Sequence, residues 1–268
     1  MADPRRIVSL VPSHTESLHD LGLADRVVGR TRFCIHPSPW VDAIPSIGGT
    51  KDARLDAILA LSPDLVVADK DENPKALVEA LQAAGVEVLW SEIDSVPDAS
   101  AFLEELGGAC GVPDTAHVAA QATLRTLMDV RAAAGPQPTP VFCPIWHAPW
   151  MTFDRTAYPH AMLEAAGLWN VFAHNRGPDG KAGPKYFEVH AADVAASPAR
   201  WTLLPTEPFP FHRQRGRVDT APLGAAGAAQ RVRIIDGEAL TWFGTRTVRG
   251  LRELAHVAAQ LRDAERAG

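Results

Sequence analysis

The histidines, the cysteine beside one of them and the tryptophans are the residues whose type and spacing can do chemistry in this chain. Cys34 and His36 stand two apart in Arg32-Phe33-Cys34-Ile35-His36-Pro37. That spacing can chelate a metal or pair a nucleophile with a base. His147 lies in Trp146-His147-Ala148-Pro149-Trp150, and His212 closes Glu207-Pro208-Phe209-Pro210-Phe211-His212. A structural zinc site takes about four ligands, and no second pair has matching spacing. Neither a metal on protein ligands nor thiol catalysis is therefore expected. One histidine approaching a metal that a ligand already carries is the milder option. Five of the seven tryptophans, Trp40, Trp90, Trp146, Trp150 and Trp242, fall at or just past predicted strand ends on loops braced by proline. Rings held in this way offer wide flat contact with little rotamer entropy to lose, which suits a large, flat or apolar ligand. The alternative is that they cap the sheet.

Enzyme signatures are missing. There is no P-loop, no Gly-x-Ser-x-Gly elbow and no GxGxxG turn. Gly48-Gly49-Thr50-Lys51 lacks the first glycine spacing and a strand directly before it. No catalytic residue is assigned. The polar segment Asp69-Lys70-Asp71-Glu72-Asn73 is the place where an enzyme acting on a small polar substrate would work, and this is the rival reading. Arg213, Arg215 and Arg217 form either a solvated loop or a rim that attracts anions.

The elements that must position these residues alternate. Arg6 to Val11 reads as a buried strand, and Ser13 with Glu16 has capping-box spacing for a helix to Leu21. Strands follow at 26–29, 64–68 and 86–90, with helices at 54–61, 74–84 and 97–109. This rhythm argues a parallel α/β sheet. Asp114 to Ala134 breaks it with about 21 residues of helix formers and no internal Gly or Pro, a long helix of about 30 Å. A second series then begins: strand 141–145, helices 157–166 and 189–196, strands 201–204 and 232–235, and a final helix near 247–266. Leu21-Gly22-Leu23 is echoed by Ala166-Gly167-Leu168, and Ser62-Pro63 by Ser197-Pro198. A period of about 140 residues is too long for a solenoid and fits a duplicated domain.

Composition sets limits. The chain has 268 residues, 46% of them hydrophobic and 22% charged, ordinary for a globular protein of one large domain or two lobes. A net charge of −6 argues against nucleic acid or an anionic membrane surface as partner. Three dispersed cysteines make no disulfide framework. No stretch approaches the roughly 20 apolar residues of a membrane span. The apolar run Ile7 to Val11 is too short for a secretory leader. A cytoplasmic protein is therefore expected, with a periplasmic one as the alternative if a leader has been removed.

Several blocks, taken in order, resemble a known family. They are Arg6-Ile7-Val8-Ser9-Leu10 with Pro12-Ser13-His14-Thr15-Glu16, then Leu21-Gly22 and Val27-Val28-Gly29, then Gly48-Gly49 with Leu59-Ala60-Leu61-Ser62-Pro63-Asp64-Leu65-Val66. Val141 to Trp146, Asn170-Val171-Phe172-Ala173, Pro205 to Phe211 and Asp236-Gly237-Glu238 continue the match. The chain is similar to the helical-backbone metal-receptor superfamily, the class III substrate-binding proteins of ABC importers for cobalamin, ferric siderophores and haem. Its Trp-rich second half is most similar to the cobalamin branch.

The resemblance implies an α/β fold of two Rossmann-like lobes joined by a single long helix. The lobes would be residues 1–110 and 137–268, with 111–136 as the connecting helix. It implies non-enzymatic binding of a corrinoid or another metal chelate in the cleft between lobes, by a monomer with no built-in cofactor. The expected ligand-binding residues are Trp40, Trp146, Trp150, Phe211 and Trp242 for stacking and apolar contact, with His36, Glu207 and Arg246 for polar contact. Importer-bound relatives present an exposed carboxylate from each lobe to the permease. Asp56 matches on the first lobe. On the second the match falls on Ala192, with Asp193 one residue away, which leaves a cytosolic carrier for the same kind of ligand as the other option.

Overall fold

A computed structural model describes residues 3–175, 183–214, 218 and 231–267. In chain order the main elements are β1 (Ile7–Ser9), α1 (Pro12–Asp20), β2 (Val27–Arg30), α2 (Leu55–Ala60), β3 (Leu65–Asp69), α3 (Lys75–Ala83), β4 (Glu87–Ser91), α4 (Val96–Ala109) and α5 (Pro113–Ala134). There follow β5 (Thr139–Phe142), β6 (Met151–Phe153), α6 (Tyr158–Ala165), β7 (Leu168–Asn170), β8 (Tyr186–Glu188), α7 (Ala191–Ala196), β9 (Trp201–Pro205), β10 (Val232–Ile235), α8 (Gly237–Thr241) and α9 (Thr247–Ala267).

The strands build two four-stranded sheets, ordered β2-β1-β3-β4 and β10-β9-β5-β7, with every pair parallel. Numbered within its own half, each sheet reads second, first, third, fourth. The duplication suggested by the echoed Gly-Leu and Ser-Pro blocks is thus present in topology. Every residue of β1 and β3 is buried, as strands covered on both faces require. Val8, Leu10, Ile58, Val66, Val78 and Leu81 make the core around the first sheet. A two-stranded antiparallel ribbon, β6 with β8, was not anticipated. Three residues per strand are too few to show alternation.

The residues gather into two compact units. The first holds residues 1–93, 97–124 and 243–247; the second holds 94–96, 125–242 and 248–268. The segment Phe243–Thr247, expected with the second lobe, packs in the first unit because α1 supplies its partners. Arg246 donates to both carboxylate oxygens of Glu16, at 2.6 and 2.7 Å. Thr245 donates from its amide to Ser17 Oγ and from its hydroxyl to Asp20. Gly244 has φ of +75°, and a Cβ there would stand 2.2 Å from Ser17 Oγ, so only glycine fits.

The predicted long helix is α5, 22 residues opened by Pro113 and stopped by Gly135 at φ +83°. The start of α1 differs from expectation. Val11 is the N-cap, Pro12 occupies the first turn and Ser13 lies inside the helix. Proline's fixed φ and missing N–H suit that first position. Glu16 serves Arg246 rather than a capping box.

Candidate functional site

In the second unit, the loops that leave β5 and β9 carry the chemistry. Beyond β5, Met151 donates its amide to the Trp146 carbonyl and Ile145 donates to Met151, closing a tight loop with Trp146 at its base. Ala148 in that loop has φ +62°, a left-handed conformation costing about 1–2 kcal/mol for a residue with a Cβ. Trp146 is left 43% exposed. Its ring meets Phe209 edge-on at 5.4 Å, and Phe209 packs on Phe211 at 4.7 Å. Phe211 lies parallel to Trp150 at 6.1 Å, and Trp150 meets Phe142 edge-on at 6.0 Å. His147 sits edge-on to Trp150 at 4.6 Å. The result is a ladder of rings from open Trp146 down to fully buried Phe142 and Phe211. Each such pair adds about 0.5–1.5 kcal/mol beyond burial, so the exposed ring stands on a stiff base.

The loop beyond β9 is fixed at its other side by α8. The Thr206 amide donates to Ile235 O, and the Gly237 amide donates to Thr206 Oγ1. Asp236 caps α8 by accepting from the Glu238 amide at 3.0 Å. A Cβ at Gly237 would stand 2.5 Å from the Glu207 amide nitrogen, so the helix can press against Glu207 only with glycine there. Trp242, at the far end of α8 and 6% exposed, turns back to donate its indole N–H to Glu207 Oε1 at 2.6 Å. The Thr241 hydroxyl donates to the same oxygen at 2.8 Å. Burial pushes the Glu207 carboxyl up to about 7, with nearby Glu238 and Asp236 acting in the same direction.

The expected residues of the first unit are placed differently. Trp40 is half-buried and packs on His19 at 4.9 Å, and His36 is half-buried on the same Pro-rich loop. Arg246 has a side chain only 4% exposed, with its guanidinium bound to Glu16. Asp56 is exposed in the first turn of α2, and Asp193 is exposed in the first turn of α7. Cys34 is buried and bonded to Thr15 and Thr31, and burial raises its thiol pKa. It is therefore neither a nucleophile nor an open ligand. Among the described residues, no three His, Cys, Asp or Glu side chains converge as a metal site. Arg213 is described; Arg215 and Arg217 lie outside the described residues.

The polar segment that ends β3 turns inward at its two ends. Asp69 and Asn73 are buried, and Asn73 binds the Asp69 amide and the carbonyls of Leu10 and Thr50. Ser91 donates to Asp69 Oδ2 at 2.6 Å, and His14 Nε2 lies 2.9 Å from Ser91 Oγ. With the serine proton committed to Asp69, His14 Nε2 is the donor of that bond. Burial holds His14 neutral, down to about 3, and raises Asp69 to about 6. This trio takes Asp69 out of solvent, while Lys70 and Asp71 of the same segment stay exposed. Sequence reasoning missed His14 and Ser91 as its members, because nothing in their spacing marks a contact made 77 residues apart. Phe209 as the link between Trp146 and Phe211 was legible in the Pro-Phe-Pro-Phe alternation but was not singled out.

Comparison with known proteins gives three findings. The model of a family described as periplasmic binding protein matches residues 7–194. A vitamin B12-binding protein of Salmonella choleraesuis (strain SC-B67) is 29% identical over 174 residues, 65% of this chain and 64% of that protein. The matched part thus spans less than two thirds of that relative's length. Among solved structures, the periplasmic vitamin B12 binding protein BtuF of Vibrio cholerae is similar with a TM-score of 0.82 at 20% identity, covering 97% of this chain and 98% of that one. The periplasmic heme-binding protein RhuT from Roseiflexus sp. RS-1 is similar with a TM-score of 0.79 at 23% identity, covering 95% and 99%. At such identities these two likenesses speak to the fold alone.

Proposed function

Since the chain belongs to the periplasmic binding protein family, we propose that it is a non-enzymatic carrier of a corrinoid or a similar flat metal chelate such as haem. The observation that carries this reading is the ring ladder ending in exposed Trp146, with the acid of Glu207 on the loop that supplies Phe209 and Phe211. A flat aromatic face with a few polar groups at its rim is what a large planar ligand requires. The names of the relatives, vitamin B12-binding and heme-binding, agree with that class. Trp150, Phe211 and Trp242 back the contact surface, and Trp40 with His36 offers a second one in the first unit.

The carrier delivers its ligand to an ABC permease. Asp56 and Asp193 support this, since each stands exposed in the first turn of a six-residue helix that precedes the third strand of its own sheet. The periplasm is the compartment this role implies, and the cytoplasmic reading of the sequence is its rival.

Titration with cyanocobalamin, dicyanocobinamide and haemin, followed by absorbance and calorimetry, tests the proposal. Trp146→Ala is expected to weaken the bound chelate by about 1–3 kcal/mol, roughly 5- to 150-fold, with the fold retained and the thermal midpoint lowered only slightly, by the loss of the Phe209 contact. Failure of the wild type to bind any of the three sinks the proposal. Fractionation of the native host locates the protein, and Asp56→Lys is expected to lower uptake while leaving chelate affinity intact.

A further inference from the structure

Glu207 is an unusual acid. Both donors that reach it, the Trp242 indole and the Thr241 hydroxyl, converge on Oε1. Among the described residues Oε2 has no partner and is not enclosed. Among the described residues no cation accompanies the carboxyl. The charged groups that face it, Asp236 and Glu238 at the start of α8, are both acidic. Among the described residues 206–214 of the loop from β9, His212 and Arg213 are the ionisable ones besides Glu207, and neither is among the groups that act on the carboxyl. The Thr241 hydroxyl also stands 2.9 Å from the Gly237 carbonyl, so its single proton has a second place to go.

A carboxyl in this setting presents one free oxygen outward in either of two states. As a carboxylate, Oε2 only accepts; as a neutral acid it donates. The edge of a corrinoid carries amides, which offer both N–H and C=O and can match either state. The edge of a haem carries carboxylates, which only accept and which a second buried anion repels.

We propose that Glu207 decides which ring periphery the site accepts: ionised, it admits an amide-edged chelate and rejects a carboxylate-edged one; protonated, it admits both. The proposal rests on the chelate-carrier reading above. It makes Glu207 a specificity residue whose setting changes near neutral pH, since burial and its acidic neighbours raise it to about 7.

The test measures affinity for cyanocobalamin and for haemin between pH 6 and 8.5, in the wild type and in Glu207→Gln. For the wild type, haemin affinity is expected to fall by up to about tenfold per pH unit above the midpoint, as the protonated fraction shrinks. Cyanocobalamin affinity is expected to change less than about threefold over the same range, having a match in both states. Glu207→Gln, always neutral and always a donor, is expected to bind haemin with that fall removed. In the free protein, the Trp242 indole N–H resonance is expected to titrate near neutral pH in the wild type and not in Glu207→Gln. A haemin profile that is flat, or equally steep in Glu207→Gln, overturns the proposal, as does a failure to bind haemin at pH 6. An indole resonance that does not titrate also overturns it. Binding of neither chelate sinks the carrier reading itself, whereas binding of both without the pH contrast removes only the role of Glu207.

Discussion

At the scale of single residues, the buried trio His14, Ser91 and Asp69 exchanges one proton on folding. Unfolded, the histidine titrates near 6.5 and the aspartate near 3.8; folded, they lie at about 3 and about 6. Between about pH 4 and 6 the unfolded chain holds the proton on His14 and the folded chain holds it on Asp69. The depressed His14 makes stability rise with pH, because the unfolded state binds the extra proton there. The raised Asp69 makes stability fall with pH across nearly the same window. The two slopes cancel, so the trio contributes little pH dependence. Asp69→Asn is expected to expose the His14 slope, with stability climbing from pH 4 to 6.5 by up to about 1.4 kcal/mol per unit. His14→Phe is expected to show the opposite, a fall between pH 4 and 6. Urea midpoints across that range check both, and parallel flat profiles for the two variants would refute the exchange.

At the scale of elements, α8 acts as a clamp closed at both ends on Glu207. Its first residue presses on the Glu207 backbone and its C-cap residue, Trp242, binds the carboxyl. Gly237→Ala is expected to push the loop away, costing about 1–3 kcal/mol and loosening the indole bond. Denaturation and the Trp242 resonance report the two effects. This helix was not legible in the sequence. Five residues with no apolar repeat give no periodic signal, and the tryptophan that closes the clamp looks like any other loop aromatic. The long elements were legible for the opposite reason. α5 and α9 have enough residues to show their pattern, and the strands of the first sheet and three of the second were legible from their apolar runs, whereas three-residue β7 was not. Placement on strand-end loops was also legible for Trp146 and Trp150, since ring-bearing loops follow strands. What was not legible was which loop residue turns inward. Arg246 and Asp69 sit at positions that look open in sequence and are closed only by partners far along the chain.

At the scale of the whole molecule, two sheets of identical strand order show that one α/β unit has been used twice. The first unit is nevertheless not made of the first half alone, because Phe243–Thr247 completes it. Glu16 and Arg246 are 17% and 4% exposed, and removing one partner of so enclosed a pair leaves the other charge stranded. Arg246→Leu is expected to cost about 3–5 kcal/mol. Hydrogen exchange is expected to quicken in α1, although the substitution lies near the other end of the sequence. The double variant Glu16→Leu with Arg246→Leu is expected to recover most of the loss, because a well-packed apolar pair replaces two charges. If the double variant is no better than the single one, the pair is not the element that holds the segment.

The same pair sets a timetable. Glu16 and Arg246 are separated by 230 residues, so a ribosome adding about 5–20 residues per second completes Arg246 roughly 12–46 s after Glu16. Throughout that interval the nascent first sheet carries an acid with no counter-ion and a helix with one side undocked. Residues 243–247 therefore finish a unit whose other residues all precede 125, and nascent chains halted before Arg246 are expected to hold that unit in an earlier, looser state.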